Sequence, residues 1–182
     1  MNVLVLTAHP SLSSSSINKT WFEALSNVPG VTTRDLMAVG GKDMVFDPVV
    51  EQALLEKADR IVFQFPLYWY SSPPVLKAWL DQVLLAGFAY GPGGNKLLNK
   101  ELMLVISTGG PEMSYAHGAY NRLPISNFLT PFEQTANMVG MRYLSPFILF
   151  SAIGLNEAQK GTCTASLIAH VSADGPMLDQ VV

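Results

Sequence analysis

Two short apolar runs, each breaking into a loop, most constrain the fold of this chain. The first run covers Ile61–Phe65 and continues into the loop Pro66–Pro74. The second covers Leu102–Ser107 and continues into Thr108, Gly109 and Gly110. Such runs are typical of strands buried on both faces of a parallel sheet. In open α/β sheets ligands bind at the carboxyl ends of the strands, so these two loops are predicted to form a binding site.

Strands and helices are predicted to alternate along the whole chain. The strands are expected at 3–7, 31–36, 60–65, 102–107 and 143–151, and the helices at 15–27, 48–57, 74–85, 125–139 and 156–172. Asp47 and Pro48 form a helix start signal, and Gly140 is a helix stop signal. Repeated βα units predict a single α/β domain over residues 1–182, a three-layer sandwich. Its five-stranded parallel sheet is expected in the flavodoxin-like order 2-1-3-4-5.

The composition favours an intracellular protein that forms a homodimer. Charged residues make up only 14% of the 182 residues, against an average of about 25%, so part of the surface is expected to be covered by a second copy. The net charge of −3 comes with no basic block, which argues against nucleic acid. The lone Cys163 excludes an internal disulfide and fits a reducing cytoplasm. The chain shows no signal peptide, membrane span or metal-ligand spacing.

The segment after the first strand carries His9, Ser15, Ser16 and Asn18. Hydroxyls and amides at the start of a helix can hold a phosphate, helped by the helix dipole. An ordinary helix cap with a serine-rich loop explains the same residues equally well. The chain has neither the G-x-G-x-x-G fingerprint of Rossmann dinucleotide sites nor a P-loop.

The two loops of the opening motif also allow two interpretations. The aromatic residues Tyr68–Tyr70 are commonest in a core or an interface, but at a strand end they can line one side of a planar ring. Ser107–Gly110 forms either a plain turn or a place where the backbone approaches a ligand closely. Tyr115 and Tyr120 could give a proton to such a ligand, although a surface tyrosine is the commoner case.

Several of these segments, in this order, resemble the NAD(P)H:quinone oxidoreductase family of DT-diaphorase type. The matching segments are Phe63–Tyr70 with Pro74, Leu76, Lys77 and Trp79, then Gly87–Gly91, then Ser107–Gly110. The resemblance runs from Met1 to about Leu155. It is greatest to the short bacterial members, which include the ancillary proteins of glutathione-regulated potassium efflux systems.

The resemblance implies a flavodoxin-like homodimer in which a flavin passes hydride from NAD(P)H to a quinone by a ping-pong mechanism. It implies cofactor contacts from His9, Ser15, Ser16, Ile17, Asn18, Pro66, Leu67, Tyr68, Trp69, Tyr70, Ser107, Thr108, Gly109, Gly110 and Tyr115. It implies catalytic roles for Tyr115 and Tyr120, and substrate contacts from Phe88, Tyr90 and His117. Tyr90 is expected to come from the second subunit.

The chain departs from that family at a few positions. Tyr68 stands where glutamine is frequent, and the histidine often found near Tyr120 or Asn121 is missing, with His117 three residues before Tyr120. The short chain favours FMN over FAD. A regulatory subunit of a membrane potassium/proton antiporter, reached from the cytoplasmic face, is the main alternative function. A one-electron flavodoxin carrier is a weaker one, because the charge of −3 is low for such carriers.

Overall fold

The computed structural model of the protein describes residues 1–173, which form one parallel sheet between two layers of helices. The strands are β1 (Val3–Thr7), β2 (Val31–Asp35), β3 (Arg60–Pro66), β4 (Glu101–Ser107), β5 (Arg142–Tyr143) and β6 (Phe147–Leu149). The helices are α1 (Ile17–Ser26), α2 (Leu36–Gly40), α3 (Pro48–Lys57), α4 (Pro74–Val83), α5 (Ile125–Val139) and α6 (Glu157–Ser172).

The strand order is β2-β1-β3-β4-β5, which confirms the predicted flavodoxin-like topology. β3 and β4 lie at the centre, and every residue of β3 is buried. The expected fifth strand, 143–151, is wrong as one continuous strand. It forms two short strands, β5 and β6, that both pair with β4. Leu102 pairs with Tyr143 but Val105 pairs with Phe147, so one extra residue is inserted around Pro146, which has no backbone donor for the ladder.

The two faces of the sheet bury separate apolar clusters. On one face, α1 and α6 cover the sheet through side chains such as Trp21, Leu25 and Leu167. On the other face, α2 to α5 pack around Phe63 and Trp79, whose rings meet edge to face at 5.9 Å. Both faces of the central strands are therefore covered, as their continuous apolar sequences predict.

Local caps explain where most helices begin and end. Asp47 accepts a hydrogen bond from Val49 N at the start of α3, and Gly140 ends α5 in the left-handed region with φ of 73°. The sequence prediction missed the short helix α2, which Asp35 caps through Met37 N and Ala38 N. Asn156 and Gln159 form a capping box on α6, which runs on through Gly161 despite its weak helix propensity.

Among residues 1–173, no helix has the length and apolar character that crossing a bilayer requires. The sequence left the role of 161–182 open, between partial disorder and an interface arm. The part up to Ser172 belongs to α6, and residues 174–182 lie outside the described residues.

Candidate active site

The parallel sheet brings the loops after β1, β3, β4 and β6 to one edge. Thr7 at the end of β1 pairs with Gln64, and Pro66 at the end of β3 pairs with Ser107. The loop after β3 stays joined to β4, because Leu67 N donates to Ser107 O at 2.9 Å. The segments singled out from the sequence therefore meet at the carboxyl edge of the sheet, where the fold predicts a ligand.

Two neighbouring cavities open at this edge. The inner cavity, of about 360 Å³, is lined by Ser15, Ser16, Ile17, Asn18, Pro66, Leu67, Tyr68, Ser107, Thr108, Gly109, Ala152, Ile153 and Gly154. The outer cavity, of about 440 Å³, is lined by Leu67, Trp69, Tyr70, Gly110, Pro111, Ser114, Tyr115, Tyr120 and Asn121. Leu67 lines both cavities, and Gly109 and Gly110 are consecutive, so the cavities lie side by side.

A network of buried hydrogen bonds fixes the residues that form one wall of the inner cavity. Asn18 Nδ2 donates to Ser107 Oγ at 2.9 Å, and Gln64 Nε2 donates to Asn18 O at 2.9 Å. This network ties the start of α1 to the ends of β3 and β4. Within residues 1–173, Asn18 Oδ1 is buried without a hydrogen-bond partner. A buried acceptor of that kind is costly unless a ligand or water donates to it.

The amino terminus of α1 also faces the inner cavity with its donors available. Ser16 occupies the N-cap position but makes no side-chain capping hydrogen bond. The first backbone N–H groups of a helix lack partners inside the helix, and the helix dipole makes this end attractive to anions. The sequence left a phosphate site and an ordinary cap equally weighted, and the structure has no side-chain cap at this position.

His9 lies beside the inner cavity rather than in its lining. Its Nδ1 accepts a hydrogen bond from Ser11 N at 3.1 Å, and its ring meets Tyr68 edge to face at 6.5 Å. Burial lowers the pKa of His9 below its ordinary value and outweighs the negative charge of Asp35, which acts to raise it. The lowered pKa favours the neutral imidazole, which leaves Nε2–H as a donor.

The aromatic loop after β3 is a tight turn with strained backbone. Tyr68 N donates to Ser71 O at 2.8 Å and Ser71 N returns a bond to Tyr68 O at 2.9 Å. Trp69 and Tyr70, between them, have φ of 47° and 64°, as in a type I′ turn that usually holds Asn-Gly. Bulky residues in this region cost about 1–2 kcal/mol each. Such strain concentrates at functional sites, and Trp69 is 94% exposed.

The loop after β4 is fixed by hydrogen bonds within itself and to the loop after β6. Thr108 Oγ1 donates to Gly110 O at 2.8 Å, and Ala152 N donates to Thr108 O at 2.8 Å. Gly109 has no side chain between the backbone and the cavity; a Cβ there would lie 3.2 Å from Ile153 Cδ1. Ile153, on the loop after β6, lines the inner cavity and is 82% exposed.

Aromatic rings surround the outer cavity. Tyr115 packs against Phe128 at 6.3 Å and Phe150 at 5.5 Å, and its hydroxyl would lie 3.5 Å from a Cβ on Gly110. Tyr120 lines the cavity and is 88% exposed. Tyr115 is thus half-buried with its hydroxyl near the glycine pair, as a residue that contacts a ligand would be.

Four of the residues singled out from the sequence do not line these cavities. His9 has been described above, and His117 is exposed on the loop after β4. Phe88 is buried in the core that α2 to α5 cover, and Tyr90 is exposed on the loop after α4. Phe88 has little surface left for a substrate in this chain, and Tyr90 could reach a site only on another copy.

Sequence reasoning missed the contributions of Ala152–Gly154, Ser114 and Asn121 to the cavities. The first group follows β6, so the rule that ligands bind at carboxyl strand ends could have found it. Larger cavities of about 530 and 560 Å³ lie elsewhere, near Lys57 and Cys163. The candidate site is therefore assigned from its polar groups and its place on the sheet, not from its volume.

Solved structures of similar fold cover nearly the whole chain. General stress protein 14 in complex with FMN from Treponema denticola has a TM-score of 0.87 at 32% identity, covering 94% of this chain and 98% of that one. An NADPH-quinone reductase from P. pentosaceus has a TM-score of 0.86 at 33% identity with the same coverage. A structure described as a thermophilic tryptophan halogenase from Streptomycin violaceusniger has a TM-score of 0.89 at 44% identity, covering 93% and 98%.

Curated relatives are similar over most of their length. The uncharacterized NAD(P)H oxidoreductase YdeQ of Bacillus subtilis strain 168 is 45% identical over 172 residues, which are 94% of this chain and 87% of YdeQ. The glutathione-regulated potassium-efflux system ancillary protein KefG of Escherichia coli O1:K1 / APEC is 47% identical over 150 residues, 82% of this chain and 81% of KefG. The family described as Flavodoxin-like fold (Flavodoxin_2) matches residues 1–169. The chain belongs to this flavodoxin-like family and is similar both to an NAD(P)H oxidoreductase and to a potassium-efflux ancillary protein.

Proposed function

We propose that this protein is an FMN-dependent NAD(P)H:quinone oxidoreductase. One observation carries the proposal: an inner cavity at an uncapped helix terminus adjoins an outer cavity lined by aromatic rings. The inner cavity suits the phosphate and ribityl end of a flavin, and the outer cavity leaves room for a flat substrate beside the ring. The FMN bound by the Treponema denticola neighbour supports the same cofactor for this chain.

The residues of the inner cavity fit FMN chemically. Ser15 and Ser16 offer hydroxyls, the start of α1 offers backbone N–H groups, and the buried Asn18 Oδ1 offers an acceptor. Within residues 1–173, no lysine or arginine lines either cavity. The phosphate would therefore be held by the helix terminus and the serine hydroxyls, with His9 beside the cavity, rather than by permanent side-chain cations.

When bound, FMN supplies the hydride chemistry, and the protein supplies position and electrostatics. Thr108–Gly110 and the turn Tyr68–Tyr70 would hold the ring, because the missing Cβ of Gly109 lets the backbone approach. Tyr115 Oη holds a proton close to the glycine pair, where it can donate to the developing charge on a reduced acceptor. Tyr120, also on the outer cavity, is placed to assist. NAD(P)H and the acceptor use the outer cavity in turn, which gives ping-pong kinetics.

Steady-state kinetics of the FMN-reconstituted protein test this proposal. We expect NAD(P)H-dependent reduction of menadione with parallel double-reciprocal lines, and at least a tenfold lower kcat in Tyr115→Phe with FMN still bound. Tyr143→Phe is the matched control, since within the described residues the buried Tyr143 hydroxyl has no hydrogen-bond partner. Failure to bind FMN, or full activity in Tyr115→Phe, would refute the cofactor or the tyrosine role respectively.

A homodimer is part of the same proposal. Trp69, Tyr120 and Met113 are large apolar residues that stand 94%, 88% and 80% exposed around the outer cavity. A second copy packed there would shelter them and could bring its Tyr90 to the site. Sedimentation equilibrium should give twice the 19.8 kDa chain mass, and a monomer would contradict this part of the proposal.

The similarity to KefG supports a second candidate function. An ancillary subunit of a potassium efflux transporter would act at the cytoplasmic face of the membrane through its partner, with oxidoreductase activity secondary. Co-purification of a tagged copy with a membrane transporter from the native cells would support this function. Recovery of the protein alone, with full quinone reductase activity, would count against it.

A further inference from the structure

Asn121 lines the outer cavity and is joined to the opposite loop by one side-chain hydrogen bond. Tyr70 Oη donates to Asn121 Oδ1 at 3.2 Å, across 51 positions of sequence. The bond links the turn after β3 to the loop after β4, and both partners line the outer cavity. The bond therefore lies at the wall of the cavity in which the proposed function places the electron acceptor.

Tyr70 is held firmly in this position. The reciprocal hydrogen bonds between Tyr68 and Ser71 fix its backbone in the left-handed region, with φ of 64°. Its ring packs on Phe128 with a centroid distance of 4.9 Å and an interplanar angle of 35°. Tyr70 is 46% exposed, and this contact on one face of its ring favours the direction in which its hydroxyl meets the Asn121 amide.

The backbone of Asn121 is also fixed. Asn121 N donates to Ser114 O at 2.9 Å, and the following Arg122 N donates to Ala119 O at 2.9 Å. With its oxygen bonded to Tyr70, the Asn121 amide has its two N–H groups left as donors. These two donors are uncharged and lie at the wall of the cavity. An uncharged oxygen on a ligand can therefore accept a hydrogen bond from them.

The rest of the outer cavity narrows the class of ligand. Within the described residues 1–173, its lining holds no acid, lysine, arginine or histidine. The rest of the wall consists of aromatic, small and apolar residues. Such a cavity suits a flat, neutral molecule with hydrogen-bond acceptors on its edge, because its lining carries no charged side chain and the Asn121 amide offers N–H donors.

We propose that Asn121 determines acceptor specificity by donating a hydrogen bond from Nδ2 to a carbonyl oxygen of the electron acceptor, and that Tyr70 positions the amide. This inference rests on the proposed function. The oxygen that receives the bond is the one that gains negative charge when the carbonyl compound is reduced, so the bond strengthens during the reaction. An amide stays protonated at all working pH values, so this donor does not titrate.

Asn121 should affect the reduction of electron acceptors that carry a carbonyl group and leave the reduction of other acceptors unchanged. Quinones offer the oxygen that Asn121 recognises, whereas ferricyanide accepts electrons without docking a carbonyl. Asn121→Asp keeps an oxygen for the Tyr70 hydroxyl but removes both N–H donors. Tyr70→Phe keeps the donors but releases the amide. Asn127→Asp, on an exposed residue of α5, introduces the same charge outside the cavities and is the matched control.

The test is a comparison of menadione and ferricyanide reduction by the FMN-loaded protein and its variants. Asn121→Asp should lose 10- to 100-fold in kcat/KM for menadione, and Tyr70→Phe about 3- to 10-fold. Ferricyanide rates should stay within twofold in Asn121→Asp, and Asn127→Asp should match the unaltered protein with both acceptors. Tyr70 belongs to the turn that would hold the flavin, so Tyr70→Phe is judged by the ratio of its menadione loss to its ferricyanide loss, which should exceed one. An unchanged menadione constant, or equal losses with both acceptors, overturns the inference. If the unaltered protein reduces neither acceptor, the proposed function itself has failed.

Discussion

Replacing Asn18 with alanine should weaken FMN binding without weakening the fold. The substitution removes the 2.9 Å hydrogen bond from Asn18 Nδ2 to Ser107 Oγ, which contributes about 1 kcal/mol to the free energy of unfolding. It also removes Oδ1, a buried acceptor that lacks a partner within residues 1–173 and costs about 1–3 kcal/mol in the apoprotein. The two effects oppose each other, so apoprotein stability should change by no more than about 1 kcal/mol.

FMN binding should respond differently, because Asn18 Oδ1 gains a donor only when the ligand is present. Losing one buried hydrogen bond to the ligand costs about 1–2 kcal/mol, or roughly 5- to 30-fold in Kd. Flavin fluorescence titration measures Kd, and urea unfolding of the apoprotein measures stability. The control is Asn27→Ala, which loses an exposed bond from Asn27 Nδ2 to Glu23 O on the same helix, away from the site.

Two results would refute this reasoning about Asn18. If FMN affinity is unchanged while the apoprotein loses stability, Asn18 is a structural residue only. If both variants weaken FMN equally, the effect belongs to α1 as a whole and not to the buried amide.

Three further predictions follow from the geometry. Trp69→Asn should relieve the backbone strain at φ of 47°, because asparagine tolerates this conformation, but it should also weaken the proposed dimer that shelters Trp69. In dilute apoprotein shown to be monomeric, the free energy of unfolding should rise by about 1 kcal/mol, a Tm rise of about 2–4 °C by calorimetry; a lower Tm would show that Trp69 makes stabilising contacts within the subunit. Arg60→Met should lower the free energy of unfolding, measured in urea, by about 3 kcal/mol. Arg60 is buried and donates to Glu101 Oε2 at 2.7 Å and to Val171 O at 2.5 Å. A decrease below about 1 kcal/mol would contradict this reasoning. Because the pKa of His9 is lowered in the folded protein, the unfolded chain binds more protons below pH 6.5. The contribution of His9 to apoprotein stability is therefore present above pH 6.5 and is lost as the pH falls below it. His9→Gln should make the free energy of unfolding depend less on pH in this range, and an unchanged dependence would exclude His9 as its source.

The parts of the fold set by local patterns could be predicted from the sequence. The continuous apolar runs of β3 and β4 indicated strands covered on both faces, and Asp47 with Pro48 marked the start of α3. The helix α2 was missed because it has only five residues, too few for a hydrophobic period, and depends on the Asp35 cap. The division between β5 and β6 depends on their register against β4, which is a tertiary property.

The candidate site could likewise be predicted from the sequence only in part. The rule that ligands bind at carboxyl strand ends located the loops that form both cavities, and the resemblance named most of the lining residues. Asn121 was noted only as the position of a missing histidine, because its bond to Tyr70 forms across 51 residues when two loops meet. Phe88 looked like a substrate contact beside Tyr90, but the fold buries it in the core.

An anaerobic NADPH titration of the FMN-reconstituted protein tests the central claim most directly. The account predicts that the visible flavin absorbance bleaches with one equivalent of NADPH per flavin and without a semiquinone band, since hydride carries two electrons. A bound flavin that stays oxidised under excess NADPH and NADH would contradict the proposed oxidoreductase and favour the ancillary-subunit function. A stable semiquinone would instead indicate a one-electron carrier.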